Sequence, residues 1–197
     1  AAPALDSPQG VEGTPVPLAP PALFAGPGAR PMDAQFAACA WANDQRIQQL
    51  TGQPFTQAYR DRILGAANAR FDSGPATLAL TAVSQTAPER ELDALHALQH
   101  ARYVEGRDNA DPVVIADVLN SLGLQAAAAW LREPSDALRV ALLERVAAAR
   151  VTMQLLGAQG VPQLAVAGQG GALRLVGGDA LLGPRDALLA RVQAAAV

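Results

Sequence analysis

The sequence predicts an α/β fold that is interrupted by a large all-helical insertion. Three observations support this prediction. The chain has 197 residues, of which 50% are hydrophobic, enough for one domain that carries a sizeable insertion. Its middle shows successive helical patterns, and its end shows a helix, a β-hairpin and a helix. Pro162 stands at the entry to the first hairpin strand, where a proline cannot donate to a sheet ladder.

Three segments follow from this order of elements. Residues 1–32 form the N-terminal part of the α/β domain, residues 33–134 form the helical insertion, and residues 135–197 form the C-terminal part of the α/β domain. A doubly wound sheet, in which single helices alternate with strands throughout the chain, does not accommodate such a long helical middle. The prediction is therefore one α/β domain whose two parts flank the insertion.

The N-terminal segment is rich in proline and glycine and predicts little regular structure. Residues 1–7 suit the tail of a helix, and residues 8–14 suit a connection. Residues 16–24 contain three prolines and form a short strand at most, while residues 25–31 predict a loop. The chain starts with Ala1 rather than a methionine. We therefore expect the protein to continue upstream of this residue.

The insertion is predicted from the spacing of its apolar residues. The predicted helices span residues 33–50, 56–64, 76–86, 88–104, 112–123 and 125–131. The first of them is expected to break near Asn43 and Asp44. The fourth carries an apolar stripe of Leu92, Leu95, Leu98 and Ala101.

Capping residues mark several helix starts. Ser73 suits the cap of the third helix, with Pro75 in its first turn. Asp111 suits the cap of the fifth helix, with Pro112 as its first residue. Ser135 opens the longest predicted helix.

The longest helix leads into the C-terminal part of the α/β domain. It ends at Gly157, and its apolar residues repeat every three or four positions on one face: Leu138, Leu142, Val146, Ala149, Met153 and Leu156. Residues 163–167 and 173–176 predict two strands that a glycine-rich turn joins. Residues 177–179 predict a loop, and Pro184 begins a final amphipathic helix.

Composition excludes several classes of function. The net charge of −3 and the isoelectric point of about 5.3 predict no general basic patch for nucleic acid. No apolar run approaches the ~18 residues that a membrane-spanning helix requires. The chain also lacks a glycine-rich phosphate loop in a strand–loop–helix context and a nucleophile elbow that would serve either histidine.

The single cysteine and the two histidines predict structural roles. Cys39 lies in an apolar helical stretch with no positive group or helix start beside it, so we expect a buried structural cysteine. An intrachain disulfide would need a second cysteine. His96 and His100 lie one helical turn apart and could share a metal ion, but no third ligand has the required spacing. We therefore expect two surface or core-edge histidines and no metal site.

Four stretches, in their order and spacing, carry a resemblance to a known family. They are LTGQPF at residues 50–55, FDSGP at 71–75, LQHARYVEGRD at 98–108 and GVPQ at 160–163. Together they resemble the DsbA family of thiol-disulfide oxidoreductases, and most closely its bacterial FrnE-like, protein-disulfide-isomerase-like branch. The resemblance runs over nearly the whole chain and implies a thioredoxin-like fold with a large all-helical insertion.

The resemblance assigns the candidate site. It implies that Pro162 is the cis-proline of the family and that the backbone of Val161 pairs with substrate. The Cys-x-x-Cys motif of the family is absent from the 197 residues, so none of them is assigned as catalytic. Ala1, Ala2 and Pro3 resemble the residues that follow this motif. We therefore expect the dithiol just before Ala1, and a natural member without the cysteines is the alternative.

The function implied by the resemblance is thiol-disulfide oxidoreductase or isomerase activity. The substrates would be disulfide-containing proteins or peptides, or small-molecule disulfides, and no cofactor is expected. The implied location is the cytoplasm, with the periplasm as the alternative, and a homodimer stays open. No nucleic acid or membrane partner is expected.

Two other functions fit the same residues. One is a redox-inert thioredoxin-fold module that binds peptides or proteins through the groove at Pro162. The other is an enzyme similar to 2-hydroxychromene-2-carboxylate isomerase, which shares the fold and the insertion, uses glutathione and has a serine in place of the first cysteine. An upstream Cys-x-x-Cys would favour the oxidoreductase, and an upstream serine would favour the isomerase. The absence of both would favour the binding module.

Overall fold

Most of the regular structure is helical. The computed structural model describes residues 17–67 and 69–197. The helices are α1 (Ala34–Thr51), α2 (Gln57–Tyr59), α3 (Gly74–Thr86), α4 (Glu91–Tyr103), α5 (Pro112–Ser121), α6 (Gln125–Arg132), α7 (Asp136–Leu156), α8 (Gly178–Leu181) and α9 (Arg185–Ala196). The strands are β1 (Arg30–Pro31), β2 (Arg70–Phe71), β3 (Leu164–Ala167) and β4 (Leu173–Val176). A π-helical turn continues α2. No helix in the described residues is both long and apolar enough to cross a membrane.

Two of the predicted caps hold the starts of their helices. The Asp111 carboxylate accepts from the amide of Val113 at 2.8 Å, and the Ser135 hydroxyl accepts from the amide of Leu138 at 3.2 Å. Both capping residues have extended backbones, which turn the side chain back over the first helical turn. Ser73 precedes α3 as predicted, but its hydroxyl makes no cap bond because its own backbone is already helical.

The apolar face predicted for α7 packs inward. Leu138 and Ala149 are buried. The other four members of the predicted face are half-buried: Leu142, Val146, Met153 and Leu156. The opposite side of the helix exposes Val140, Leu143, Val151 and Leu155. The three-and-four spacing therefore predicted correctly which side of this helix meets the rest of the protein.

The predicted break in the first helix is wrong. Helix α1 runs without interruption from Ala34 to Thr51. The side chain of Asp44 does not turn back to compete for backbone groups, because its carboxylate accepts the hydroxyl proton of Tyr59 at 2.8 Å. A partner distant in the sequence therefore keeps this polar side chain compatible with a continuous helix.

The apolar stripe predicted for α4 is only partly correct. Leu98 and Ala101 are buried and Leu95 is half-buried, but Leu92 is 50% exposed. Ala94 is fully buried in its place. The buried face therefore follows the i, i+4, i+7 positions of Ala94, Leu98 and Ala101. These three residues share one buried cluster with residues of α3 and α5.

In the described residues, buried apolar side chains form two clusters. The larger cluster lies among α3, α4, α5, α6 and α7, and its fully buried members include Val83, Leu98, Ile115, Leu119 and Leu138. The smaller cluster consists of Met32, Phe55, Tyr59, Ile63 and Leu64. Burial of side chains of this size contributes about 1.5–3 kcal/mol each.

The N-terminal segment forms no strand in residues 17–24. The helix tail and connection predicted for residues 1–14 lie outside the described residues. Pro17, Pro20 and Pro21 lack backbone donors and prevent a ladder at 17–24. The predicted loop at 25–31 contains a 3₁₀ turn and the two residues of β1, which pairs antiparallel with β2.

Two arginines of α7 hold this irregular segment in place. Arg145 donates from Nη2 to the carbonyl of Leu18 at 2.7 Å and also pairs with the buried Glu91. Arg150 donates to the carbonyls of Pro21 and Ala22 at 2.9 and 3.0 Å. These bonds provide donors to backbone carbonyl groups that are not paired in any sheet.

The C-terminal hairpin forms where it was predicted. Strand β4 has the predicted bounds, and β3 starts one residue later than expected, at Leu164. The strands are antiparallel, and Leu164 lies opposite Val176. Gly170 and Gly171 in the turn have φ values of +89° and +81°, which favour glycine. The prediction of a loop at residues 177–179 is wrong for Gly178 and Asp179, which belong to the short helix α8.

Candidate functional site

The candidate site lies in the turn between α7 and β3. The peptide bond between Val161 and Pro162 is cis. Both residues are exposed, and 57% of the surface of Val161 is accessible to solvent. A β-carbon added to Gly160, on the other side of Val161, would meet no other atom within 4 Å. A ligand can therefore approach the backbone of this turn from solvent.

The turn is supported from the opposite side by the start of α8. The side-chain oxygen of Gln163 accepts from the amide of Gly178 at 3.1 Å. A β-carbon at position 178 would lie 2.6 Å from the carbonyl oxygen of Pro162, so only glycine fits there. Neither Gln163 nor Gly178 was predicted to be a site residue. The pair of glycines at 177 and 178 was the signal that could have indicated a close approach.

Helix α8 is in turn tied to α9 by an ion pair. Arg191 donates to the carboxylate of Asp179 at 2.9 Å. The Arg191 guanidinium holds the pKa of this exposed carboxyl group below its ordinary value. The turn at Pro162, the helix α8 and the helix α9 therefore form a continuous series of contacts.

The prediction that Cys39 is buried is wrong, because its side chain is exposed on α1. The neighbouring Phe36, Ala37 and Ala40 pack against the smaller apolar cluster, and Cys39 falls on the other side of the helix. The side-chain amide nitrogen of Asn43 lies 3.8 Å from the sulfur of Cys39. A single thiol cannot form an intrachain disulfide, so it cannot carry out dithiol exchange by itself.

The two histidines line a small open cavity between α4 and α5. This cavity has a volume of about 360 Å³ and also contacts Glu105 and Arg107. His100 Nδ1 lies 3.2 Å from a carboxylate oxygen of Glu105, and both side chains are largely exposed. No group of three or more potential metal-binding side chains occurs in residues 17–67 and 69–197.

A larger apolar cavity, with a volume of about 470 Å³, lies beside α7. Its lining comes from the 3₁₀ turn at 26–28, α3, α5, α6 and α7. Four prolines at or near helix starts contribute to it: Pro27, Pro75, Pro112 and Pro134. This cavity was not predictable from the sequence, because no periodic pattern connects residues so far apart in the chain.

A buried arginine accompanies the smaller apolar cluster. Arg102 is 4% exposed, and its Nη1 donates to Asn109 at 3.0 Å. Its guanidinium lies 5.8 Å from the ring centroid of Tyr59 and 5.5 Å from that of Phe71. These distances allow cation–π attraction, which is stronger when the charge is removed from water.

Comparisons with known proteins give a consistent result. No family model matches the chain, and no curated protein sequence matches it. The solved structure of the cytosolic disulfide reductase DsbM from Pseudomonas aeruginosa matches with a TM-score of 0.69 and 32% identity, over 84% of this chain and 78% of that one. The structure of that reductase with GSH matches with a TM-score of 0.67 and 32% identity, over 84% and 79%.

A third solved structure extends the likeness in fold. It is a "putative protein disulfide isomerase" from Nitrosomonas europaea, with a TM-score of 0.66 and 24% identity, over 84% of this chain and 76% of that one. At this identity the match bears on the fold alone. Together with the order of elements, these matches confirm the predicted α/β, thioredoxin-like fold with a large all-helical insertion.

Proposed function

Because the chain belongs to the DsbA-like family of thiol-disulfide oxidoreductases, we propose that it provides the substrate-docking surface for disulfide exchange. The observation that carries this proposal is the exposed turn at Val161 and Pro162, which the start of α8 supports from behind. The substrates are disulfide-containing proteins and peptides, or small-molecule disulfides. The dithiol comes from a segment outside these 197 residues.

The chemistry of this exchange needs two thiols and no further reactant. A thiolate at a helix start, where the helix dipole and free amides lower its pKa, attacks one sulfur of the substrate disulfide. The substrate disulfide breaks, a mixed disulfide forms, and one substrate thiolate leaves. The second thiol then attacks the mixed disulfide and releases the other substrate thiolate. The substrate is reduced by two electrons, and the dithiol is oxidised to a disulfide.

The turn would hold the substrate during this exchange. The backbone N–H and carbonyl of Val161 are available to pair with an extended peptide, as in the addition of a strand to a sheet edge. Pro162 has no N–H and so offers no competing donor. The exposed side chain of Val161 adds an apolar contact beside the reacting disulfide.

Oxidised glutathione is the small-molecule disulfide that we propose to test first. The relative from Pseudomonas aeruginosa was solved with GSH and is described as a cytosolic disulfide reductase. This description supports a cytoplasmic location and a reducing direction for the present protein. The four family-like stretches support its assignment to the bacterial FrnE-like branch.

A titration followed by nuclear magnetic resonance tests the docking surface in the 197-residue chain. The ligands are oxidised glutathione and a short extended peptide that contains a disulfide. We expect the largest amide shifts at Gly160, Val161 and Gln163. Val161→Pro removes the backbone donor and should abolish peptide binding, whereas Val161→Ala keeps the donor and should bind with a small loss of affinity. Shifts confined to other regions, or no binding by the unchanged chain, would refute the docking proposal.

A redox-inert binding module is the second candidate. The observation that favours it is the cysteine content, since the 197 residues contain one cysteine and it is exposed on α1. Such a module would bind peptides at Val161 in the same titration. It would differ from the oxidoreductase in having no thiol besides Cys39 in the protein made by cells.

A further inference from the structure

Gln163 links the exposed turn to a separate element of the fold. Its side-chain oxygen accepts from the amide of Gly178, the first residue of α8. This amide is one of those that a helix start leaves without an intrahelical partner. Gly177 precedes the helix and has no side chain with which to cap it. Gln163 therefore acts as the cap of α8, although it lies fifteen residues earlier in the chain.

Gly178 makes a second contact with the same turn. A β-carbon at this position would lie 2.6 Å from the carbonyl oxygen of Pro162, a distance that forces a shift of the backbone. The absence of a side chain thus brings the start of α8 directly against Pro162. The hydrogen bond from Gly178 therefore fixes Gln163, and the close packing of Gly178 fixes the preceding residue, Pro162.

The sheet itself cannot hold the turn in this way. The last paired residues of the hairpin are Leu164 and Val176. Pro162 has no backbone N–H, so the ladder cannot extend through it toward Val161. The side chain of Gln163 supplies the next bond beyond the last pair. The ion pair between Asp179 and Arg191 then anchors α8 to α9.

We propose that Gln163 is a positioning residue for substrate docking. By fixing the turn against α8, it holds the backbone of Val161 in the orientation that pairs with an extended disulfide-bearing peptide. This inference rests on the proposed function. Gln163 acts through Val161 and Pro162 and has no part in the bonds that form and break.

Two variants of Gln163 distinguish the effect of its hydrogen-bond acceptor from the effect of its side-chain volume. Gln163→Leu keeps nearly the same volume but removes the acceptor, whereas Gln163→Glu keeps an oxygen that can accept from Gly178. The measurements are the dissociation constant of the disulfide peptide and the hydrogen-exchange rate of the Gly178 amide in the 197-residue chain. For Gln163→Leu we expect a roughly fivefold to tenfold weaker affinity and a similar rise in exchange rate, as for the loss of one hydrogen bond. Gln163→Glu should stay within about twofold of the original chain in both.

Arg174→Gln is the matched control. It removes a bond from β4 to the carbonyl of Ala195 at the end of α9, elsewhere on the same hairpin. We expect its peptide affinity to equal that of the original chain. Gly178→Ala provides a second route, because the added β-carbon displaces the turn while Gln163 stays intact, and it should also weaken binding. If Gln163→Leu fails to fold, the peptide affinity of Gly178→Ala tests instead whether the position of the turn controls docking.

The outcomes separate this inference from the proposed function. Peptide binding by the original chain together with unchanged affinity in Gln163→Leu, despite faster exchange at Gly178, would overturn the positioning role alone. An equal loss of affinity in Gln163→Glu and Gln163→Leu would also overturn it, because the acceptor would not matter. Absence of binding by the original chain would overturn the docking function and the positioning role together.

Discussion

Tyr59 donates its hydroxyl proton to the carboxylate of Asp44 across 2.8 Å and so joins the smaller apolar cluster to α1. Tyr59 is 2% exposed, and Asp44 is half-buried. Burial is the main reason why the pKa of each group lies above its ordinary value. The bond compensates for part of the loss of water around the carboxylate.

Tyr59→Phe should destabilise the protein by about 1–3 kcal/mol, because it leaves a partly buried carboxylate without its donor. Urea unfolding followed by circular dichroism measures this change. A double-mutant cycle with Asp44→Ala isolates the pair, and we expect a coupling of about 1 kcal/mol or more. A coupling near zero would show that the two side chains do not stabilise one another.

Asp44 should also make stability depend on pH. Its folded-state pKa is raised above 3.8, so the folded protein binds more protons than the unfolded one between 3.8 and the raised value. The free energy of unfolding should therefore fall as pH rises through this window. Asp44→Asn lacks this titration and should gain stability relative to the original chain as pH rises. Unfolding curves at several pH values test this, and parallel pH profiles for the two proteins would contradict it.

Gly106 should be far less tolerant of substitution than Gly123. Both have positive φ values, of +65° and +77°. A β-carbon at 106 would lie 2.5 Å from the carbonyl oxygen of Ala58, whereas one at 123 meets open space. Gly123→Ala should cost about 1–2 kcal/mol from backbone strain alone, and Gly106→Ala should cost clearly more. Equal losses of unfolding free energy would show that the contact with Ala58 relaxes freely.

Features set by neighbouring residues were predictable from the sequence. The caps at Asp111 and Ser135, the end of α7 at Gly157 and the bounds of β4 each depend on residues within one turn or one strand. The inward face of α7 was predictable for the same reason. The type of an element and the face that it buries follow from the local spacing of apolar residues, and for α7 the folded protein buries the face that this spacing predicts.

Features set by distant residues were not predictable in this way. The bond from Tyr59 keeps α1 continuous at Asp44, and only the packing of two elements brings the two side chains together. The exposure of Cys39 depends on which side of α1 meets the smaller cluster. The roles of Val161 and Pro162 came from the family resemblance, since an isolated Gly-Val-Pro sequence also suits an ordinary turn.

The exposure of Cys39 predicts ready chemical access. One equivalent of thiol should react with a thiol reagent in the folded chain without denaturant, because the sulfur lies at the surface. Cys39→Ser should leave the fold and the peptide affinity unchanged. Slow labelling that requires denaturant would contradict the exposed position, and loss of peptide binding after labelling would give Cys39 a role in docking.

The most direct test of the central claim is a thiol count on the protein that cells make from its complete gene, with its intact mass. We predict a mass above 20.3 kDa and, after reduction, two thiols in addition to Cys39 that disappear when oxidised glutathione is added. This result would show that the complete protein carries a dithiol that exchanges with a disulfide, as the oxidoreductase account requires. A protein with Cys39 as its only thiol and no disulfide exchange would contradict the oxidoreductase account and favour the binding module.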